Sequence, residues 1–140
     1  HMVVLKTDGT VWAWGNNVSG QVGDGTCLER LQPVQVKKIK KAVSIVAGER
    51  HALAITDDGA VWSWGDNGYG QIGDGTPRNR PFPVKQTELQ DVACVAAGDE
   101  HSLALDANGT IWAWGSSRLL SPGSLFQVIE AGIKMYNTFP

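Results

Sequence analysis

Two cysteines in 140 residues cannot build a disulfide framework. Cys27 and Cys94 stand alone, at unrelated places in the repeat described below, so no C-x-x-C metal or redox motif is available either. No apolar run approaches the roughly 18 residues of a membrane span, and no charged stretch followed by an apolar one opens the chain. A soluble chain without membrane partners is expected. Twelve basic against fourteen acidic side chains leave a formal net charge of −2. That balance gives no general attraction for a phosphate backbone, so nucleic acid is not an expected partner.

What the chain has in excess is glycine and tryptophan. Seventeen glycines amount to about 12%, against an average near 7%, and six tryptophans accompany them. The two residue types recur together. Val11-Trp12-Ala13-Trp14-Gly15 returns as Val61 to Gly65 and as Ile111 to Gly115, 50 residues apart each time. The same shift carries Ala47-Gly48-Glu49-Arg50-His51 onto Ala97 to His101, and Gly20-Gln21-Val22-Gly23-Asp24-Gly25-Thr26 onto Gly70 to Thr76. The units run at about 1–50, 51–100 and a third, 101–134, which loses the Gly-Gln-x-Gly-Asp-Gly-Thr segment after Gly115 and is shorter by about sixteen residues. Residues 135–140 then begin a further strand, with Met135 to Phe139 in the place of His1 to Leu5.

Within a unit the apolar period is two. His51, Leu53 and Ile55 alternate with Ala52 and Ala54, the pattern of a strand. Asp58-Gly59 and Asn108-Gly109 suit the positive φ angles of tight hairpins, and further strands are expected around Val34 to Val36 and Val43 to Ala47, with Pro33 and Pro83 at strand entrances. Four short antiparallel strands per unit predict an all-β fold: a partial β-propeller of about three four-stranded blades.

These motifs, Ala-Gly-x-x-His-x-Leu-Ala-Leu, Asp-Gly-x-Val-Trp-x-Trp-Gly and Gly-Gln-x-Gly-Asp-Gly-Thr, resemble the regulator of chromosome condensation repeat over nearly the whole chain. The resemblance implies a propeller, commonly of seven blades, and a binding platform instead of a shared reaction. Family members include an exchange factor for a small GTPase, ubiquitin-ligase regulatory domains and a plant ultraviolet photoreceptor. The photoreceptor type carries a Trp before an Arg-His pair. This chain has Glu49-Arg50-His51 and Asp99-Glu100-His101 there, so light sensing is not implied.

Each chemical motif has a structural explanation. The Trp pairs put bulk on one side of a strand and Val11, Ala13 and Gly15 on the other, which suits stacked blades. Gly68-Tyr69-Gly70-Gln71-Ile72-Gly73 fits G-x-G-x-x-G, yet Pro77 and Pro81 follow where a dinucleotide fold needs a helix. Asp24 and Asp74 lack EF-hand spacing and are expected to cap their loops. His51 and His101 have no ligand partner in their strands and are expected to be hydrogen-bonded and partly buried. Ser19, Ser44, Ser102 and Ser121 lie outside any G-x-S-x-G elbow. No enzyme and no cofactor are expected.

Strand reversals place the candidate site. If Val43 to Ala47 runs toward one rim, Gly48 to Arg50 turns there, and Val61 to Gly65 returns to the same rim. The two loop types sharing it carry Glu49, Arg50, Asp99 and Glu100, and Asn16, Asn17, Asp66, Asn67 and Tyr69. This mostly acidic face predicts a protein partner with a basic surface. The basic run Lys37-Lys38-Ile39-Lys40-Lys41 falls on the opposite rim, and its counterpart Thr87-Glu88-Leu89-Gln90-Asp91 reverses the charge. A homo-oligomer formed through the unlike blade faces is also expected, because three blades cannot close alone. The alternative function is structural: a segment that only completes a larger assembly.

Overall fold

The computed structural model describes residues 1–116 and the two-residue strand Lys134–Met135. The shortened stretch between Arg118 and Glu130 lies outside the described residues. Every regular element is a strand: β1 (Met2–Leu5), β2 (Val11–Gly15), β3 (Arg30–Gln35), β4 (Ala42–Ala47), β5 (His51–Thr56), β6 (Val61–Gly65), β7 (Arg80–Lys85), β8 (Val92–Ala97), β9 (His101–Asp106), β10 (Ile111–Gly115) and β11 (Lys134–Met135). Among the described residues there is no helix, and so none long and apolar enough to cross a membrane. Three sheets result, ordered β1-β2-β3, β4-β5-β6-β7 and β8-β9-β10-β11. We call them blades 1, 2 and 3. The sheets are out of phase with the sequence repeat, because the Ala42–Ala47 strand joins the sheet of the histidine strand that follows it.

Consecutive strands pair antiparallel, as in β5 with β6, where His51 lies opposite Gly65 and Ile55 opposite Val61. The exception is β11, which runs parallel to β10 with Lys134 opposite Trp112. Met135 thus lies on the outermost strand of blade 3, and residues 136–140 lie outside the described residues. The prolines also differ from expectation. Pro33 and Pro83 sit inside β3 and β7, not at their entrances. Both are outer strands paired on one side only and interrupted by register shifts, where a missing N–H is tolerated. In the hairpin after β5, Gly59 alone takes a positive φ (76°), while Asp58 accepts hydrogen bonds from the Thr56 hydroxyl (2.6 Å) and the Ala60 amide (3.3 Å).

The core lies between blades. Blade 1 turns Val11, Ala13 and Val36 toward Ala52, Ala54 and Trp64 of blade 2, and all six are buried. Blade 2 turns Leu53, Ile55 and Val61 toward Ala104 and Trp114 of blade 3. The Gly-Gln-x-Gly turns of blades 1 and 2 each receive the second Trp of the following blade. Trp64 Nε1 donates to the Gln21 carbonyl at 3.0 Å, and Trp114 Nε1 to the Gln71 carbonyl at 2.8 Å. A Cβ at Gly23 would fall 2.7 Å from the Trp64 indole nitrogen, and φ there is +77°, so only glycine fits. Ile39 and Leu89, 3% and 2% exposed, anchor the links between blades as their shared apolar character implied.

Candidate functional site

The rim at the end of β4 and β6 is built by direct contact between the two loop types. The Asp66 amide donates to the Arg50 carbonyl at 2.8 Å, and the Ser116 amide to the Glu100 carbonyl at 2.8 Å. Glu49, Arg50, Asp66, Asp99 and Glu100 therefore share one rim. The hairpins and the β3–β4 link occupy the other, where the Asp57 amide donates to the Lys41 carbonyl (2.9 Å) and the Ala107 amide to the Asp91 carbonyl (2.8 Å).

Side-chain exposure divides the nine sequence-chosen residues. Glu49, Arg50, Asn16, Tyr69 and Asp99 are exposed, and Asp66 and Glu100 are half-buried. Asn17 and Asn67 are buried at 1% and 0% exposure and face inward. Each holds its loop closed. Asn67 Nδ2 donates to the carbonyls of Thr76 (2.6 Å) and Arg78 (3.0 Å) and to Asp74 Oδ1 (3.0 Å), while its Oδ1 accepts from the Ile72 amide (3.0 Å). Asn17 repeats the pattern on Thr26, Leu28 and Val22. These two contribute rigidity to the rim and no contact surface.

Asp24 and Asp74 lock the same loops, as expected of caps, and do more. Asp24 Oδ1 accepts from the Thr26 amide (2.9 Å) and hydroxyl (2.8 Å), and its Oδ2 from Arg30 Nε (2.6 Å). Asp74 pairs in the same way with Thr76 and Arg80. Burial opposes ionisation of Asp24, but the Thr26 hydrogen bonds and the Arg30 guanidinium outweigh it and hold the carboxyl below its usual range. The arginine partners, six residues beyond each aspartate, were missed in the sequence because loop charges normally point to water. Val18 and Leu28 were missed as well. At 66% and 65% exposure they stand on the long loop of blade 1, and Tyr69, at 41%, stands on that of blade 2. The available signal was their apolar character inside a Gly- and Asp-rich loop without periodicity to bury it.

His51 is the most perturbed titratable group. Burial first, and the charge of nearby His101 second, push its pKa down to about 4. It lines no cleft. Its Nε2 meets Ser102 Oγ at 2.9 Å across the boundary of blades 2 and 3, and Ser102 in turn donates to the Gln71 carbonyl at 2.8 Å. Among the described residues no group of three or more His, Cys, Asp or Glu side chains could hold a metal.

The family model of the regulator of chromosome condensation (RCC1) repeat matches residues 8–55 and 58–105. The chain belongs to the RCC1-repeat family. The ultraviolet-B receptor UVR8 of Arabidopsis thaliana is 43% identical over 58 residues, covering 40% of this chain and 13% of the receptor. Human Alsin is 44% identical over 54 residues, 37% of this chain and 3% of Alsin. Yeast RCC1 (Prp20), solved bound to Kap60, superposes with a TM-score of 0.71 at 28% identity over 82% of this chain and 30% of that one. Human WBSCR16 superposes with a TM-score of 0.73 at 22% identity over 81% of this chain, and shares the fold. A further Saccharomyces cerevisiae Prp20p structure, TM-score 0.65 at 31% identity, is described with its binding to Gsp1p and histones. The chain thus spans less than a third of these solved propellers and a smaller share of the curated relatives.

Proposed function

We propose that the chain is a protein-binding platform whose contact surface is the rim carrying Glu49, Arg50, Asn16, Asp66, Tyr69, Asp99 and Glu100. The observation that carries this reading is the split within the rim loops. Buried Asn17 and Asn67, with the half-buried Asp24 and Asp74, fix the loop backbones, while the outward residues, Arg50 and Asn16 apart, are acidic or apolar. Pre-ordered loops lose little entropy on binding. Tyr69 on the long loop of blade 2 and Val18 and Leu28 on that of blade 1 supply exposed apolar anchors, and the rim carboxylates favour a partner with a basic surface. Family neighbours solved or described with protein partners support a binding role over a catalytic one. Pull-down with the chain and with the Glu49→Lys, Asp99→Lys, Glu100→Lys triple variant tests the face. Proteins captured in a salt-sensitive way by the parent should be lost from the triple variant and kept when Lys37, Lys38, Lys40 and Lys41 are changed to Gln. The reverse pattern would overturn the face assignment.

A second reading, assembly of the segment with itself or with further blades, is favoured by two apolar grooves. Blade 1 leaves a groove lined by Val4, Trp12, Trp14 and Pro33, and blade 3 leaves one lined by Cys94, Leu103, Leu105 and Ile111. Apolar patches of this kind mark interaction surfaces. Light scattering at tens of micromolar should give species above 15.0 kDa, and a monodisperse monomer would count against it.

A further inference from the structure

The links that join the blades on the hairpin rim occupy the same place in successive boundaries. The Lys41 carbonyl accepts from the Asp57 amide (2.9 Å), and the Ala42 amide donates to the Gly9 carbonyl (2.9 Å), so Lys41 lies between the hairpins of blades 1 and 2. Asp91 lies likewise between those of blades 2 and 3. Its carbonyl accepts from the Ala107 amide (2.8 Å), and the Val92 amide donates to the Gly59 carbonyl (3.1 Å). Both residues hold a left-handed backbone, with φ of 57° and 51°. The β5–β6 hairpin therefore has Lys41 on one side and Asp91 on the other.

Charge is antisymmetric about that hairpin. The link on one side carries Lys37, Lys38, Lys40 and Lys41, and the link on the other carries Glu88 and Asp91, all of them exposed. Lys38 is engaged, its Nζ 4.0 Å from the Phe82 ring centre. None of the ion pairs among the described residues uses Lys37, Lys40, Lys41, Glu88 or Asp91. On the acidic side a cavity of about 410 Å³ is lined by Asp58, Ala60, Lys85, Leu89 and Asp91. Ala60 and Leu89 give it apolar lining, and Asp58 and Asp91 give it carboxylates. Asp58 Oδ2 stands 4.0 Å from Lys85 Nζ in an exposed pair, which holds it weakly. A lysine suits such a cavity, because its stem packs on apolar side chains while its ammonium reaches charged ones.

We propose that two copies of the chain associate through this rim about a two-fold axis lying in the rim plane along the β5–β6 hairpin, with lysines of each copy's 37–41 link seated in the other's Asp58 and Asp91 cavity. The occupant is a second copy because the rotation carries one side of the hairpin onto the other. Lys41 then faces Asp91 and Asp91 faces Lys41, the self-complementarity that a two-fold interface requires. Asp57 of each copy comes beside the axis, next to the Lys41 to which its amide is bonded, so the hairpin carboxylates meet cations as well as each other. The contact lies on the rim opposite the proposed partner-binding face and apart from the apolar grooves, and it rests on neither.

Sedimentation equilibrium tests it. The parent chain at low salt should form a dimer that dissociates as sodium chloride is raised. Two variants each reverse one side: Lys37→Glu, Lys40→Glu, Lys41→Asp in one, and Glu88→Lys, Gln90→Lys, Asp91→Lys in the other. Positions 41 and 91 each receive the residue that the other already holds in the same backbone conformation. Either variant alone should raise the dimer dissociation constant about tenfold or more, and an equimolar mixture should return to within about threefold of the parent as a heterodimer. Misfolded chains could not be rescued by mixing, so rescue separates a lost contact from a lost fold. Reversals without rescue would overturn the two-fold arrangement. Association that survives both reversals would overturn it and leave the apolar grooves as the source, whereas a parent that stays monomeric would overturn it together with self-association.

Discussion

The two boundaries between blades have one geometry and two chemistries. Between blades 1 and 2, the positions facing the Gly-Gln-x-Gly turn are Ala13, Val36 and Ala52, all apolar. Between blades 2 and 3, the same three positions are Ser63, Gln86 and Ser102, all buried. Here Gln86 Nε2 donates to Ser63 Oγ (2.6 Å) and to the Ile72 carbonyl (2.7 Å), and Ser63 Oγ donates to that same carbonyl (2.8 Å). The tryptophan seat is common to both. The fold therefore asks for an indole against a glycine turn and leaves the rest of the boundary open to either packing or hydrogen bonding. The second boundary is more vulnerable, since a buried polar network must be satisfied throughout.

The shared seat should give the largest effect. Trp64→Ala and Trp114→Ala each remove a fully buried ring and are expected to cost about 3–5 kcal/mol, read as a shift in urea midpoint. Trp14→Ala, in the half-buried face of blade 1, should cost less than half of that. Equal losses at all three positions would show that blade 1 is covered in solution.

Acid should discriminate between the boundaries next. The folded pKa of His51 is depressed from 6.5 to about 4, so the unfolded chain takes up the proton first. Its stabilising contribution is complete above about pH 6.5 and is lost as pH falls through about 4, on the order of 3 kcal/mol in all. The groups facing it are His101 and the Ser102 hydroxyl. Urea midpoints measured from pH 7.5 to 4.5 should fall for the parent chain and fall less for His51→Gln. A parallel decline in both would place the acid sensitivity elsewhere.

How much of this was legible in advance depends on what a residue's neighbours in sequence reveal. Strand periodicity and the 50-residue repeat placed His51–Thr56 and Val61–Gly65, because alternation reports burial directly. Strand reversal placed both loop types on one rim for the same reason. The roles of Asn17 and Asn67 were hidden, since an asparagine in a polar loop reads as solvated until the loop folds back on it. Its recurrence immediately after Trp-Gly-x was the only sign. The polar network of blades 2 and 3 was equally hidden. Ser63 meets Gln86 across 23 residues of sequence and Ser102 meets His51 across 51, and a serine within a strand says nothing about what lies across the boundary.

The smallest effects concern single hydroxyls. Ser102→Ala converts one of the three polar positions to the alanine found at Ala52, but leaves the His51 ring nitrogen without its partner in a buried place. The expected cost is about 1–3 kcal/mol, the range for an unsatisfied buried group. The exchange in the other direction, Ala52→Ser, should cost less, because the Gln21 carbonyl stands where the Gln71 carbonyl accepts from Ser102, and a hydroxyl there has an acceptor waiting. If position 52 tolerates serine while position 102 does not tolerate alanine, the asymmetry belongs to the histidine and not to the serine. Adding His51→Gln to Ser102→Ala should then recover part of the loss. Simple additivity of the two substitutions would instead mean that the hydroxyl and the imidazole act independently.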